Sequence, residues 1–157
     1  MTAQRAQKRI LVAVDGDGSS DSALAMAARL ATDEGADLRI LHVVDPTPKS
    51  VGLILPDLEE AADEARAEGR EVIDRAWIAA LRAGVRAEQV LVERPVENAS
   101  GAILLEAANW PADLILVGTH GRTGLARILH GSVSARVAQY APCPVLVVRP
   151  VEAASAR

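Results

Sequence analysis

The sequence predicts an α/β protein, an open five-stranded parallel sheet with helices on both faces. Three observations predict it. Five short, branched apolar runs alternate with longer amphipathic segments, and alternation of that kind buries a parallel sheet beneath crossover helices. Half of the 157 residues are hydrophobic, yet aromatics are nearly absent and Phe is missing, so the core is built from Val, Leu, Ile and Ala. The two most glycine-punctuated loops follow the first and fourth apolar runs, at the carboxyl ends of strands, where such sheets bind ligands.

Strand one is read over 9–15, RILVAVD, a nearly continuous apolar run suited to burial on both faces. A loop from Gly16 to Ser20 follows, then helix one from about Ser20 to Glu34 with Ala23, Met26, Ala27 and Leu30 on one face. Ser19 or Ser20 is the expected N-cap, and Gly35 lies where a helix C-terminus often takes glycine. Strand two covers Leu38 to Val44, and 46–56 is read as a link to helix two rather than a flap over a site.

Helix two is expected over about Asp57 to Ala83, with Leu58, Ala62, Ala65, Val72, Ala76 and Leu81 along one face. Gly69 weakens its interior by about 1 kcal/mol relative to alanine, and the alternating charges form a solvated face. Strand three runs from about Ala87 to Glu93. Pro95 suits the first turn of helix three, which ends near Asn109, before Trp110-Pro111.

Strand four, Leu114 to Val117, is continuous, branched and brief, and it stops at Gly118. A loop punctuated by Gly121 and Gly124 follows. Gly131-Ser132 then opens a helix in which Val133, Val137 and Tyr140 fall at helical spacing, and strand five is Val145 to Arg149. Glycines in such a loop allow positive φ and let a ligand approach the main chain. The free N–H groups of a helix start favour an anion, and Ser132 adds a hydroxyl donor. Strand, glycine loop and helix start together suit a phosphate. No Gly-Lys-Ser/Thr closes the loop, and the spacing is not that of a dinucleotide fingerprint.

Gly118-x2-Gly121-x9-Gly131-Ser132, followed by Ala141-Pro-Cys-Pro-Val-Leu-Val-Val148, resembles the C-terminal signature of the universal stress protein family. Ile10-Leu-Val-Ala-Val-Asp15-Gly16 resembles the family's first strand, so the resemblance covers about 8–150. It implies one domain with a Rossmann-like sheet of order 3-2-1-4-5, and an ATP-binding, stress-response signalling module. It further implies that Asp15 lies near the adenine and ribose, that Val43 offers backbone groups to the adenine edge, and that Val117 lines the same pocket. Gly118, Gly121, Gly131 and Ser132 become the ribose and phosphate cradle, with the Val133 N–H beside them. Arg122 and Arg127 can neutralise phosphate charge or stand as ordinary exposed arginines.

The resemblance also implies a homodimer through strand five, since Val145–Val148 would otherwise be an unpaired sheet edge. Two alternatives stay open: a binder of AMP or cyclic AMP, and a nucleotide-independent interaction protein of the same fold. The second branch typically lacks the cradle glycines.

One departure stands out. The family commonly has serine two residues after the first-strand aspartate, where this chain has Asp17. A carboxylate beside a triphosphate is repulsive, so either Asp17 points away or the nucleotide arrives with Mg2+, a hard cation suited to oxygen ligands.

No catalytic constellation or protein metal site is legible. The histidines, His42, His120 and His130, lack partners at metal-ligand spacing, and His42 reads as structural. The single cysteine, Cys143, reads as a small apolar residue at a strand entry. The net charge of −4 argues against a nucleic-acid partner, and no apolar run is long enough to span a bilayer. The apolar run near the start ends too early for a signal peptide, so a cytoplasmic protein with an unidentified protein partner is expected.

Overall fold

The computed structural model describes residues 7–47, 55–94, 99–119 and 133–151. Among these residues, strands β1 (Arg9–Ala13), β2 (Asp37–Val44), β3 (Ala87–Glu93), β4 (Leu114–Gly118) and β5 (Val145–Val148) form one sheet. Every pairing is parallel and the order is β3-β2-β1-β4-β5, as expected. The helices are α1 (Gly18–Glu34), α2 (Leu55–Arg82), α3 (Ala99–Asn109) and α4 (Val133–Tyr140).

Alternation along the strands splits the core into two layers. Ile10, Val12, Leu38, Ile40 and Leu116 pack with α1 and α2 on one face of the sheet. Leu11, Leu41, Ile115 and Val117 pack with α3 and α4 on the other. These strand side chains are almost wholly buried, and each such Leu, Ile or Val removes apolar surface worth roughly 1.5–3 kcal/mol from water. Branched aliphatics therefore supply the core without aromatic bulk.

Two boundaries differ from the sequence reading for identifiable reasons. β1 ends at Ala13 rather than Asp15. The Val14 N–H still donates to the Leu41 carbonyl at 2.9 Å, but the Asp15 N–H turns to Ser20 Oγ at 3.2 Å. A side-chain acceptor thus takes over from the ladder. The N-cap of α1 is Asp17, not Ser19 or Ser20: its extended backbone and its carboxylate, which accepts the Ser19 N–H at 2.7 Å, define the cap. Gly35 closes α1 in the left-handed conformation, at φ 63°.

The remaining elements begin close to expectation. α2 begins two residues before Asp57, and α3 is described from Ala99; Pro95 lies outside the described residues. Gly69 has a steric role that helix propensity does not reveal. A Cβ there would run into Val44 Cγ2, so glycine lets α2 lie directly on the end of β2. At the amino ends of the strands, Arg39 joins three elements. It pairs with Glu88 of β3, donates to Glu106 of α3 at 2.6 Å, and lies 4.4 Å from the Trp110 ring centroid.

Candidate functional site

β1 is flanked by β2 on one side and β4 on the other, so the chain reverses its direction of travel across the sheet at β1. Right-handed crossovers then put α1 and α2 on one face and α3 and α4 on the other. The chain passes from β1 to α1 on one face and from β4 to α4 on the other, the arrangement in which open sheets of this kind hold a crevice at the carboxyl ends of the two strands.

The floor on the β1 side is bound by its own side chains. Asp15 Oδ1 accepts the Asp17 N–H at 2.9 Å, and Ser20 Oγ donates to the Asp17 carbonyl at 3.0 Å. The Asp17 carboxylate faces the first N–H groups of α1, where the helix dipole favours negative charge. That arrangement answers the question raised by the acidic loop: Asp17 is held by the helix. Asp15 is half-buried, and its Oδ2 has no hydrogen-bond partner among the described residues.

Val43 and Val117 both lie on the α3/α4 side, near the carboxyl ends of their strands. Gly118, the last residue of β4, faces the opposite way. A Cβ there would lie 2.5 Å from Ser19 Oγ and 2.8 Å from the Ser20 nitrogen. Its lack of a side chain is required by α1, whatever its backbone offers a ligand. Val133 is the first residue of α4 and is partly exposed. Gly121, Arg122, Gly131 and Ser132 lie outside the described residues, as do Arg127, His120 and His130.

The structure adds a residue that periodicity does not single out. Thr119 follows Gly118, its N–H donates to the Val148 carbonyl at 3.0 Å, and its buried hydroxyl has no hydrogen-bond partner among the described residues. A buried polar atom awaiting a partner at the crevice fits a polar ligand there. The signal in the sequence is slight, a lone hydroxyl residue directly after the strand-ending glycine.

His42 is structural: its Nδ1 lies 2.6 Å from the Val14 carbonyl oxygen, which requires the proton on Nδ1. Among the described residues no group of three or more His, Cys, Asp or Glu is placed to hold a metal ion. No described helix is long and apolar enough to cross a membrane. A cavity of about 680 Å3 lies between α1 and α2, over Leu24, Ala28, Val72, Ala76 and Ala80, and reaches Val14 and Gly16. It includes neither Asp15 nor Val43 nor Val117, so volume and predicted chemistry point to different faces.

Comparisons with known proteins agree with this architecture. The model of the universal stress protein family matches residues 7–149. Universal stress protein YxiE of Bacillus subtilis is 36% identical over 149 residues, covering 90% of this chain and 98% of the relative. A universal stress protein of Thermus aquaticus is 39% identical over 143 residues, with 90% and 98% covered. The solved structure of UspA from Lactobacillus plantarum superposes with a TM-score of 0.77 at 26% identity, covering 92% of this chain and all of that one.

Two further solved neighbours carry ligands. One is a universal stress protein in complex with cAMP, with a TM-score of 0.68, 27% identity, and 92% and 99% covered. The other is the Archaeoglobus fulgidus protein in complex with dAMP, with a TM-score of 0.67, 25% identity, and 90% and 97% covered. With a family match over residues 7–149 and relatives 36% and 39% identical along nearly their whole length, the chain belongs to the universal stress protein family.

Proposed function

We propose that this chain is a single-domain, cytoplasmic stress-response module that binds an adenine nucleotide, ATP in the first instance, between the loops that leave β1 and β4. The observation that carries the reading is convergence. Asp15, Val43, Val117 and the start of α4 meet at one end of the sheet, beside the strand-order reversal. Asp15 Oδ2, which has no hydrogen-bond partner among the described residues, accepts from a ribose or adenine donor. The backbones of Val43 and Val117 form the adenine wall. Gly118, Gly121, Arg122, Gly131, Ser132 and the Val133 N–H receive the ribose and phosphates. Magnesium, where present, enters on the phosphates rather than on Asp17, whose carboxylate already caps α1. The neighbours solved with cAMP and dAMP support an adenine nucleotide as the ligand class.

The proposal includes a homodimer joined along β5, with the nucleotide state signalled to a protein partner. The sheet's two edges differ in a way that supports this. β3 carries Glu88, Gln89 and Glu93 along its edge, whereas β5 reads Val-Leu-Val-Val, with Leu146 and Val147 38% and 40% exposed. Charged edges resist pairing and apolar ones invite it.

Calorimetric titration of the nucleotide-stripped protein with ATP, ADP, AMP and cyclic AMP, each with and without Mg2+, tests the reading. Saturable ATP binding is the expected result. Preference for AMP or cyclic AMP keeps the site and changes the signal, and binding of none leaves a nucleotide-independent interaction protein. Gly121→Val is expected to abolish binding with the circular dichroism spectrum unchanged; retained affinity removes the glycine loop from the site.

A further inference from the structure

Among the described residues, the Thr119 hydroxyl is the one buried side-chain oxygen or nitrogen without a hydrogen-bond partner. Folding leaves such groups unpaired at a cost, and they concentrate where a ligand or water completes them. Thr119 is firmly placed, because its own N–H continues the β4–β5 ladder to the Val148 carbonyl. Its direction follows from its neighbours. Leu114 and Leu116 belong to the α1/α2 layer, Ile115 and Val117 to the α3/α4 layer, and Gly118 abuts α1. Alternation therefore sets Thr119 on the α3/α4 side, with Val43 and Val117. Counting on from the paired residues Val12 and Leu116, Asp15 and Thr119 are each the third residue beyond, just past the ends of the adjacent strands β1 and β4.

We infer that Thr119 is a nucleotide contact whose hydroxyl hydrogen-bonds to the sugar, beside the Asp15 carboxylate. The inference rests on the nucleotide-binding reading above and adds a residue and a target group to it. A carboxylate only accepts, so Asp15 can receive hydrogen bonds from sugar hydroxyls but has none to donate to a sugar oxygen. A threonine hydroxyl both donates and accepts. It can therefore bond to an oxygen of the sugar that Asp15 cannot serve.

The test compares the full-length, nucleotide-stripped wild type with Thr119→Val and Thr119→Ser. Each is titrated with AMP and with adenosine, and unfolded in urea without nucleotide. Valine keeps the shape and removes the hydroxyl; serine keeps the hydroxyl. The expected result is about tenfold weaker binding of both ligands to Thr119→Val, with Thr119→Ser within about threefold of wild type. The urea midpoint of Thr119→Val should be unchanged or raised, because no partner among the described residues is lost. Equal binding by wild type and Thr119→Val overturns the contact. Weakening with AMP alone overturns the sugar assignment, and loss of affinity together with stability overturns it in favour of a packing role. A wild type that binds neither ligand overturns the nucleotide reading itself, and Thr119 falls with it.

Discussion

Ser19 and Gly118 meet with no side chain of Gly118 between them: the buried Ser19 and Ser20 in the first turn of α1 rest on the backbone of β4. The contact joins the start of α1 to the end of β4. Gly118→Ala would force its Cβ against Ser19 and the Ser20 nitrogen, which belong to a fixed helix start rather than a flexible side-chain end. The expected loss is about 1–3 kcal/mol, as for overpacking elsewhere in cores. Urea unfolding followed by circular dichroism measures it. Unaltered stability would mean that α1 can shift off β4, and that Gly118 is needed for some other reason.

Gly69 gives a second case in which glycine works through contact. Propensity alone predicts that Gly69→Ala stabilises α2 by about 1 kcal/mol. The collision with Val44 predicts the reverse, a net loss of roughly 1–2 kcal/mol once both effects are counted. Val44→Ala makes room for the new methyl group, so it should cost less in the Gly69→Ala background than in the wild type. A double-mutant cycle on urea midpoints reads that coupling directly. Additive effects would show that the two residues do not share the space.

The sequence carried the architecture well and the local chemistry less so. The layering follows from apolar alternation and crossover handedness, the strand order from the family resemblance, and nearly every described element falls within a few residues of its expected limits. What periodicity misses is decided by single contacts. Asp17, Ser19 and Ser20 are all good caps within four positions, and only backbone conformation selects Asp17. Gly69 reads as a propensity cost until Val44 is placed against it. Gly118 reads as the opening of a glycine loop, and its contact with α1 emerges only when alternation is counted from the true register of β4. Thr119 is invisible to the same degree, since only a hydrogen-bond census exposes its unpaired hydroxyl.

The assignment of Asp17 as a cap separates two substitutions that the sequence alone would treat together. Asp17→Ala removes the acceptor of the Ser19 N–H and should destabilise the protein by about 1 kcal/mol. Asp17→Ser retains a capping oxygen and should change stability by only a few tenths of a kcal/mol. Because the carboxylate is already engaged with the helix, Asp17→Ser should also leave magnesium-free ATP affinity within about threefold of wild type. A large gain in that affinity would show that the charge reaches the phosphates despite the cap.

Cys143 offers a test of the strand-five entrance that is independent of ligand. Its side chain packs against the α3/α4 layer, and burial, with a smaller contribution from the Asp113 carboxylate, pushes its thiol up from the ordinary thiol range. The nucleophile is the thiolate, so native protein should react with iodoacetamide several-fold more slowly than urea-unfolded protein at the same mildly alkaline pH. The sign of the linked stability follows. The folded state holds this proton more tightly, so stability should fall as pH rises from the ordinary thiol range through the raised value. Cys143→Ala removes the titrating group, and its urea midpoint should decline less across that interval than the wild type's. Equal slopes, with equal alkylation rates in the folded and unfolded protein, would place the thiol in water rather than against the core.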